Sequence, residues 1–193
     1  MRKLLYAVLS LLILCTTATA DDKTVARELL KNKLDAVFAV LQKQDLAAEA
    51  KNREVIEITT PLFDFPLMAR LTLGKKHWPG LTKEQKETFT QLFVKRMQTA
   101  YLGNLTRYTD EKVFYEPAVQ VKKKIHIPTF LASKDKKISM LYKLYKSGDT
   151  WKIYDIEIQG VSIIRSYRSQ FSEILENGTI DNLLQKLEKP ADQ

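Results

Sequence analysis

Residues 151–171 read Trp151-Lys-Ile-Tyr-Asp-Ile-Glu-Ile-Gln-Gly-Val-Ser-Ile-Ile-Arg-Ser-Tyr-Arg-Ser-Gln-Phe171, and the spacing of the apolar residues changes at Gly160. Before Gly160 apolar and charged residues alternate, which predicts a β-strand with Tyr154, Ile156 and Ile158 on one face. After it the apolar spacing becomes three to four, which predicts an amphipathic helix. The face of that helix carries Val161, Ile164, Tyr167, Arg168 and Phe171. An apolar face beside arginines and hydroxyls, without a catalytic group, is typical of a pocket for an apolar molecule with a polar end.

The first twenty residues have the pattern of a secretory signal peptide. Arg2 and Lys3 form a basic start, residues 4–14 are apolar, and residues 18–20 offer a small-residue cleavage site. The apolar run is about half of the roughly 20 residues that span a bilayer, which argues against a membrane anchor. Lipoprotein processing at Cys15 is the other alternative, and the bulky Leu14 before it argues against that. The sequence therefore predicts a cleaved signal peptide over residues 1–20 and a single domain over residues 21–193.

Export would leave a basic chain without cysteine. Cys15 is the one cysteine of the sequence, so the mature chain would hold no disulfide, thiolate nucleophile or cysteine metal ligand. Loss of Arg2 and Lys3 lowers the formal net charge from +8 to +6. A basic surface on an exported protein favours anionic lipid head groups or an acidic partner over nucleic acid, although ordinary solubility explains such a charge equally well.

Helix signals dominate the first half of the mature chain. An apolar face predicts a long amphipathic helix over residues 24–46, and a short helix follows at about residues 53–60. Asp64 as N-cap and Gly74 as terminator predict a very apolar helix over residues 65–73. Thr82 and Gln85 form a capping box that starts a long helix, whose aromatic face continues past Gly103 to residue 108.

The second half of the chain is β-rich and ends in helices. Strands are predicted at about residues 113–121, 125–127, 138–146 and 150–158, with Pro117 at an edge or bulge and residues 147–149 as a hairpin turn. Thr179 caps a last amphipathic helix. This order predicts an α+β fold, in which several helices cover a curved antiparallel sheet of about four to five strands.

Residues suited to catalysis or metal binding form no recognisable motif. His77 and His126 are the two histidines and lie outside metal-ligand patterns, and no nucleophile elbow or phosphate-binding loop occurs. Carboxylates distant in sequence can still converge in space. The sequence therefore predicts a protein that is not an enzyme, with no catalytic residue, no metal site and no cofactor.

Two groups of segments carry a family resemblance. The first is Leu73-Gly74-Lys-Lys-His-Trp78 with Thr82-Lys-Glu-Gln-Lys-Glu-Thr-Phe89, and the second is Tyr154-Asp-Ile with Val161-Ser162 and Tyr167-Arg-Ser-Gln-Phe171. In order and approximate spacing they resemble the MlaC family of periplasmic phospholipid-binding proteins, auxiliary components of an ABC transport system also described under toluene tolerance. The likeness covers nearly all of the mature chain. The segment from Leu73 to Trp78 is one residue longer than the usual spacing.

The resemblance implies a soluble periplasmic carrier that leaves its cargo chemically unchanged. Such a carrier encloses phospholipid acyl chains in a hydrophobic cavity between a curved sheet and helices. It shuttles lipid between an outer-membrane lipoprotein complex and an inner-membrane ABC transporter complex, in support of outer-membrane lipid asymmetry. The implied partners are phospholipid and these two membrane-bound complexes, met transiently, with no nucleic acid, and we expect a monomer.

Apolar residues of the long helices and strands are the candidates for the cavity wall, although periodicity alone favours ordinary core for each of them. The candidates are Phe65, Met68, Leu71, Phe89, Phe93, Met97, Tyr101, Met140, Trp151, Ile153, Val161 and Ile164. Arg168 and Tyr167 are the head-group candidates because arginine presents a planar fork to phosphate, with an ion pair within the fold as the alternative role for Arg168.

Other function classes stay open on the sequence alone. The same pocket would suit another apolar ligand, such as a hopanoid or a solvent-like molecule, and mass spectrometry of the extracted ligand would separate these. A lipid or envelope hydrolase would need a polar triad or metal site inside the cavity, and a purely structural protein would have no cavity.

Overall fold

The structure is a computed structural model that describes residues 21–102, 112–132 and 137–189. The predicted signal peptide lies outside the described residues. So does the predicted end of the long helix, from Gly103 to residue 108.

In the described part of the chain, six α-helices flank a central sheet segment in the chain order. They are α1 (Asp22–Leu41), α2 (Ala48–Thr59), α3 (Phe65–His77), α4 (Lys83–Met97), α5 (Ile163–Asn177) and α6 (Ile180–Glu188). Short 3-10 turns at Thr60–Leu62 and Trp78–Gly80 join α2 to α3 and α3 to α4, and a π-helical turn at Gln98–Leu102 follows α4. Among the described residues, no helix is both long and apolar enough to cross a bilayer.

The helix starts follow from local capping. The Asp64 carboxylate accepts from the Leu67 amide at 2.9 Å, and Thr82 and Gln85 form both bonds of a capping box. Gly74 interrupts α3 with φ 63° and ψ −168°, a backbone conformation that glycine adopts without strain. The helix predictions are thus confirmed, with three differences in the bounds. Helix α1 ends at Leu41 instead of near residue 46, where the polar residues 42–45 are exposed, and α2 begins at Ala48 instead of at about residue 53. Helix α3 resumes after the break at Gly74 and ends at His77, whereas the prediction ended it before Gly74.

Six antiparallel strands form one open sheet within the residues that the structure describes. They are β1 (Lys112–Tyr115), β2 (Val119–Val121), β3 (Lys124–Ala132), β4 (Lys137–Ser147), β5 (Thr150–Ile158) and β6 (Val161–Ser162). The order is β1-β3-β4-β5-β6, and β2 also pairs with β3, beside β1. The α+β fold is confirmed. The strand count exceeds the expected four to five because the segment around Pro117 divides into two strands and β6 adds a short one.

The strand-to-helix switch contains one more element than the sequence predicts. Gln159 and Gly160 both have positive φ, at 50° and 79°, and form a tight turn that pairs Val161 back onto Ile158. The helix α5 begins at Ile163, because the Ser162 side chain accepts from the Arg165 amide at 3.1 Å and caps it. The prediction of Val161 on the helix is therefore wrong: this residue belongs to β6 and is 59% exposed.

A bulge in β5 changes which residues share a face. Lys143 lies opposite Asp155 and Leu144 opposite Ile153, so Tyr154 is an extra residue with no partner of its own on β4. Tyr154 therefore stands on the outer face with Lys124, whose Nζ lies 4.2 Å from the Tyr154 ring centroid. The predicted shared face of Tyr154 with Ile156 and Ile158 is wrong for this residue.

Two cores hold the described helices and strands together. The larger lies between the sheet and helices α3 to α6, and includes the fully buried Met68, Phe89, Phe93 and Ile127. A small second core joins α1 to α2 through Val37, Val40, Leu41 and Val55. Helix α1 thus packs on α2 with one part of its apolar face, and the other part turns toward the sheet.

Candidate ligand cavity

A cavity of about 460 Å³ lies between α1 and the inner face of the sheet. Its wall on the α1 side is Leu30, Leu34, Val37, Phe38 and Leu41. The sheet side comprises Val113, Thr129, Leu131, Ile138, Met140, Tyr142, Ile153, Ile156 and Ile158, and the ends are Thr59, Leu62, Phe63, Phe65, Met97, Ala100, Tyr101 and Ile163. The volume falls in the range of about 300–1,000 Å³ that small-molecule sites occupy.

Charged side chains are absent from this wall among the described residues. Its polar groups are hydroxyls of Thr59, Thr129, Tyr101 and Tyr142. The Thr59 hydroxyl donates to the Val55 carbonyl at 2.7 Å, and burial raises the pKa of Tyr142 well above its ordinary value and keeps the phenol neutral. The cavity is therefore suited to hydrocarbon and offers no partner for a buried charge.

Five of the predicted wall residues line the cavity. They are Phe65 at the start of α3, Met97 at the end of α4, Tyr101 in the π-helical turn, Met140 on β4 and Ile153 on β5. Phe65 is held by the Asp64 cap, and its ring stacks on Phe63 at 5.1 Å between centroids. Two of the five, Met97 and Met140, have flexible thioether side chains that adapt to differently shaped ligands.

Four other predicted wall residues belong to solid core instead. Phe89 stacks on Phe93 at 6.2 Å between centroids, and these rings meet Phe171 and Tyr167 of α5 at 5.6 and 5.5 Å in edge-to-face contacts. The aromatic face of α4 therefore joins α4 to α5. Met68 and Trp151 are likewise buried core residues away from the cavity wall.

Three further predicted wall residues lie elsewhere. Leu71 and Ile164 border a second, smaller pocket of about 350 Å³, which also involves Lys143 and Glu157 of the outer sheet face. Val161 is exposed, as described above. Ile164 of α5 thus borders the second pocket together with Leu71 of α3, whereas Ile163, the first residue of α5, lines the cavity.

The head-group candidates have structural partners. Arg168 donates through Nε and a terminal nitrogen to the Leu71 carbonyl, at 2.8 and 2.6 Å, in the turn of α3 that ends at Gly74. The Tyr167 ring is 8% exposed in the aromatic core, and burial raises the pKa of its hydroxyl, which is hydrogen-bonded to Tyr101, to about 12. Only Tyr101 of this pair reaches the cavity wall.

The motif residues Asp155 and Ser162 join β5 to α5. The buried Asp155 carboxylate accepts from the Ser162 hydroxyl at 2.8 and 3.0 Å and from the Ile164 amide at 3.2 Å. It also forms an ion pair with Lys143, 3.1 Å away. A carboxylate at a helix start satisfies free amides and interacts favourably with the helix dipole. These residues, which belong to the segments of the family resemblance, thus fix where α5 starts.

Lys143 also contacts Glu157, and these charged groups shift the pKa values of their neighbours on the outer face of the sheet. Hydrogen bonding by Lys143 lowers the pKa of Glu157, and Arg165 adds a second ion pair at 2.9 Å. Burial, with the positive charges of Lys143 and Lys124, lowers the pKa of His126. Within the described segments, histidines and carboxylates form no group able to hold a metal ion.

Helix α1 is the part of the cavity that sequence reasoning missed. Leu30, Leu34, Val37 and Phe38 line it, together with alternate residues of β3 and β4. The signal was present as the long apolar face of α1, which is wider than α2 alone covers. Alternation along β4 also pointed to Ile138 and Tyr142 beside Met140.

Comparisons with known proteins agree with this arrangement. The family model described as MlaC protein matches residues 31–189. The intermembrane phospholipid transport system binding protein MlaC of Haemophilus influenzae is 23% identical over 187 residues, covering 92% of this chain and 87% of that protein. The phospholipid-binding protein from Ralstonia solanacearum, solved in complex with a phospholipid, has a TM-score of 0.74 at 24% identity, over 84% of this chain and 94% of that chain. The structural likeness establishes the fold.

Proposed function

The chain belongs to the MlaC family, and from this premise we propose that it is a periplasmic carrier that binds phospholipid acyl chains in the cavity under α1. The observation that carries the proposal is the cavity itself, about 460 Å³ of space whose described wall holds no charge. The phospholipid bound to the similar Ralstonia protein and the transport role in the name of the Haemophilus protein support the choice of ligand.

Energetics favour an occupied cavity. In an enclosed cavity, unfilled volume costs about 24 cal/mol per Å³ because the wall loses its packing contacts. This cavity is partly open, so that cost applies to the part of its 460 Å³ that solvent does not fill. Water is a poor filler, because a buried water needs two to four polar partners and this wall has few. A hydrocarbon ligand supplies the missing contacts.

Acyl chains also supply enough free energy for a carrier. At about 0.8 kcal/mol per buried methylene, two chains contribute roughly 20 kcal/mol gross. Ordering of the chains and lost translational freedom remove much of this. The remainder suits a protein that extracts a lipid from one membrane and releases it to a second protein without covalent chemistry.

The proposal assigns the contacts as follows. Phe65, Met97, Tyr101, Met140 and Ile153 touch the acyl chains, together with the α1 face. Met68, Phe89, Phe93 and Trp151 support the wall from behind. Arg168 and Tyr167 position the end of α3 and Tyr101, so their effect on lipid is indirect.

The wider role completes the proposal. Residues 1–20 act as a cleaved signal peptide, and residues 21–193 form a single monomeric domain in the periplasm. The carrier meets an inner-membrane ABC transporter complex and an outer-membrane lipoprotein complex, and it acts without catalysis. The name of the Haemophilus relative, a binding protein of an intermembrane transport system, supports this role.

Organic extraction of protein purified from the periplasm tests the proposal. Mass spectrometry of the extract is expected to find phospholipid in stoichiometric amounts. Protein that is lipid-free in every preparation, and takes up none from vesicles, would refute it. A hopanoid or other apolar molecule in the extract, in place of phospholipid, would support the cavity as a binding site but for a different ligand. Lysolipid or fatty acid formed over time would indicate a hydrolase.

A further inference from the structure

The outer face of the sheet carries an exposed apolar patch at the β1/β2 edge. Among the described residues five large apolar side chains are exposed, and three of them lie within residues 114–121. These are Phe114, Val119 and Val121, with exposed fractions of 45%, 51% and 40%. Single exposed apolar residues are ordinary on a protein surface, whereas a contiguous apolar patch with a polar rim marks an interaction site.

Strand register places the three side chains on one face. Residues directly opposite in antiparallel strands share a face, and the pairs are Phe114 with Phe130, Val119 with His126 and Val121 with Lys124. The Phe114 and Phe130 rings stack at 4.7 Å between centroids. Ile125 and Ile127 alternate with these β3 residues and are buried on the opposite face. The patch is therefore on the far side of the sheet from the cavity, and its occupation leaves the cavity wall untouched.

Lysines border the patch. They are Lys112 on β1, Lys122 and Lys123 in the turn between β2 and β3, Lys124 on β3 and Lys137 on β4. Lys137 lies 3.9 Å from the Phe130 ring centroid, so this charge is at the patch itself. Residues 112–124 contain a single carboxylate, Glu116. The patch thus combines apolar side chains with a strongly positive border.

We propose that this face docks on an anionic membrane surface. Phe114, Val119 and Val121 enter the head-group region, while the lysines interact with lipid phosphates. A bilayer interface supplies apolar depth and negative charge together, and each lysine near an anionic surface adds to the attraction. An acidic protein could satisfy the lysines, but it would also need a matched apolar hollow opposite the three side chains. The bilayer fits both features without such matching.

Vesicle flotation tests the proposal with matched variants. Wild-type protein is expected to float with phosphatidylcholine vesicles that contain phosphatidylglycerol, and to stay behind with phosphatidylcholine alone or at high salt. The double change Lys122→Gln and Lys123→Gln is expected to lower the bound fraction roughly tenfold or more. Its control is Lys83→Gln with Lys95→Gln, two exposed lysines on α4.

The apolar half of the patch has its own pair of variants. Val119→Ser is expected to weaken binding severalfold, whereas Val161→Ser, at a valine on β6 that is 59% exposed, is expected to bind as wild type does. Lipid carriage is measured separately by extraction, and all four variants are expected to retain it, so failure here is distinct from failure of the carrier function. Wild type that does not float, patch variants that float as well as their controls, or equal binding to neutral vesicles would overturn the proposal. If wild type bound no vesicles, and the patch variants lost binding to an acidic protein that wild type binds, the acidic protein would be the partner instead.

Discussion

Met140 and Leu141 are neighbours on β4 that face opposite sides of the sheet. Met140 lies in the cavity wall, whereas Leu141 pairs with Pro128 and Glu157 on the outer side. Both are partly buried, so a polar change at either has a similar cost to the fold. They offer a test of ligand contact that separates it from general stability.

We predict that Met140→Gln weakens acyl-chain binding and that Leu141→Gln does not. The Tyr142 hydroxyl, which donates to Met140 Sδ at 3.6 Å, can satisfy the amide oxygen at most, so lipid would bury the amide NH2 group against an apolar wall. A buried unpaired polar group costs about 1–3 kcal/mol, which corresponds to a loss of affinity of roughly fivefold to a hundredfold. Titration with a fluorescent-tailed phospholipid measures the effect, and equal affinities for the two variants would contradict the proposed site.

His126 gives the fold a predictable response to acid. Its pKa is lowered by burial and by Lys143 and Lys124, so the folded state resists protonation. As pH falls through about 6.5, the unfolded chain takes up a proton that the folded chain refuses, and stability declines until the folded pKa is reached. The lowered pKa of Glu157 places a second loss at lower pH, as that carboxylate protonates and releases Lys143.

We predict that His126→Gln removes the loss of stability that begins near pH 6.5 and leaves the loss at lower pH that comes from Glu157. Urea unfolding at a series of pH values measures this, because the midpoint of wild type should begin to fall near pH 6.5 and that of the variant should hold until the carboxylates titrate. Identical pH profiles for the two proteins would show that His126 ionises equally in both states.

At the scale of elements, the end of α3 depends on one glycine and one arginine. Gly74 adopts a conformation nearly restricted to glycine, and Arg168 of α5 donates to the Leu71 carbonyl one turn earlier. A Cβ added at Gly74 would lie 3.7 Å from Arg168 Nε, an ordinary contact distance. Any cost of substitution there comes from backbone strain and not from a clash.

We predict that Gly74→Ala lowers the free energy of unfolding by about 1–3 kcal/mol, whereas Gly80→Ala is close to neutral. Gly80 is the matched control because its backbone is not in the positive-φ region and nothing lies within 4 Å of an added Cβ. Urea denaturation of both variants measures the difference. Equal stability would mean that α3 continues through residue 74 in solution.

The same elements show what the sequence can predict. The caps at Asp64 and Thr82 are predictable because cap and capped amide lie three residues apart. The cavity wall is not, because a helix face has the same periodicity whether it meets core or a void. Phe89 and Phe93 are therefore predicted as wall and lie between α4 and α5, and Leu34 becomes wall only because α1 folds back over distant strands.

At the scale of the whole molecule, the cavity links stability to cargo. A ligand that binds only the folded state stabilises it by RT ln(1 + [L]/Kd), about 2.7 kcal/mol at a hundredfold excess over Kd. The small core between α1 and α2 is the one most exposed to this effect, since α1 forms one wall of the cavity.

We predict that removal of lipid lowers the melting temperature and that re-addition of phospholipid restores it. Calorimetry of native, delipidated and reloaded protein measures the shift, and Met140→Gln should show a smaller recovery than Leu141→Gln. Equal melting temperatures for native, delipidated and reloaded protein would contradict occupancy of the cavity in the folded state.

The bulge at Tyr154 has a consequence for the shape of the wall. Across the same span β5 holds one residue more than β4. Such a β-bulge bends the strand that carries the extra residue and increases the local twist of the pair. Ile153 and Ile156 still face the cavity on either side of the surplus residue. The concave shape proposed to receive a lipid tail thus follows from the one additional residue in β5. Deletion of Tyr154 is expected to straighten this wall, while Ile153 and Ile156 would still face the cavity.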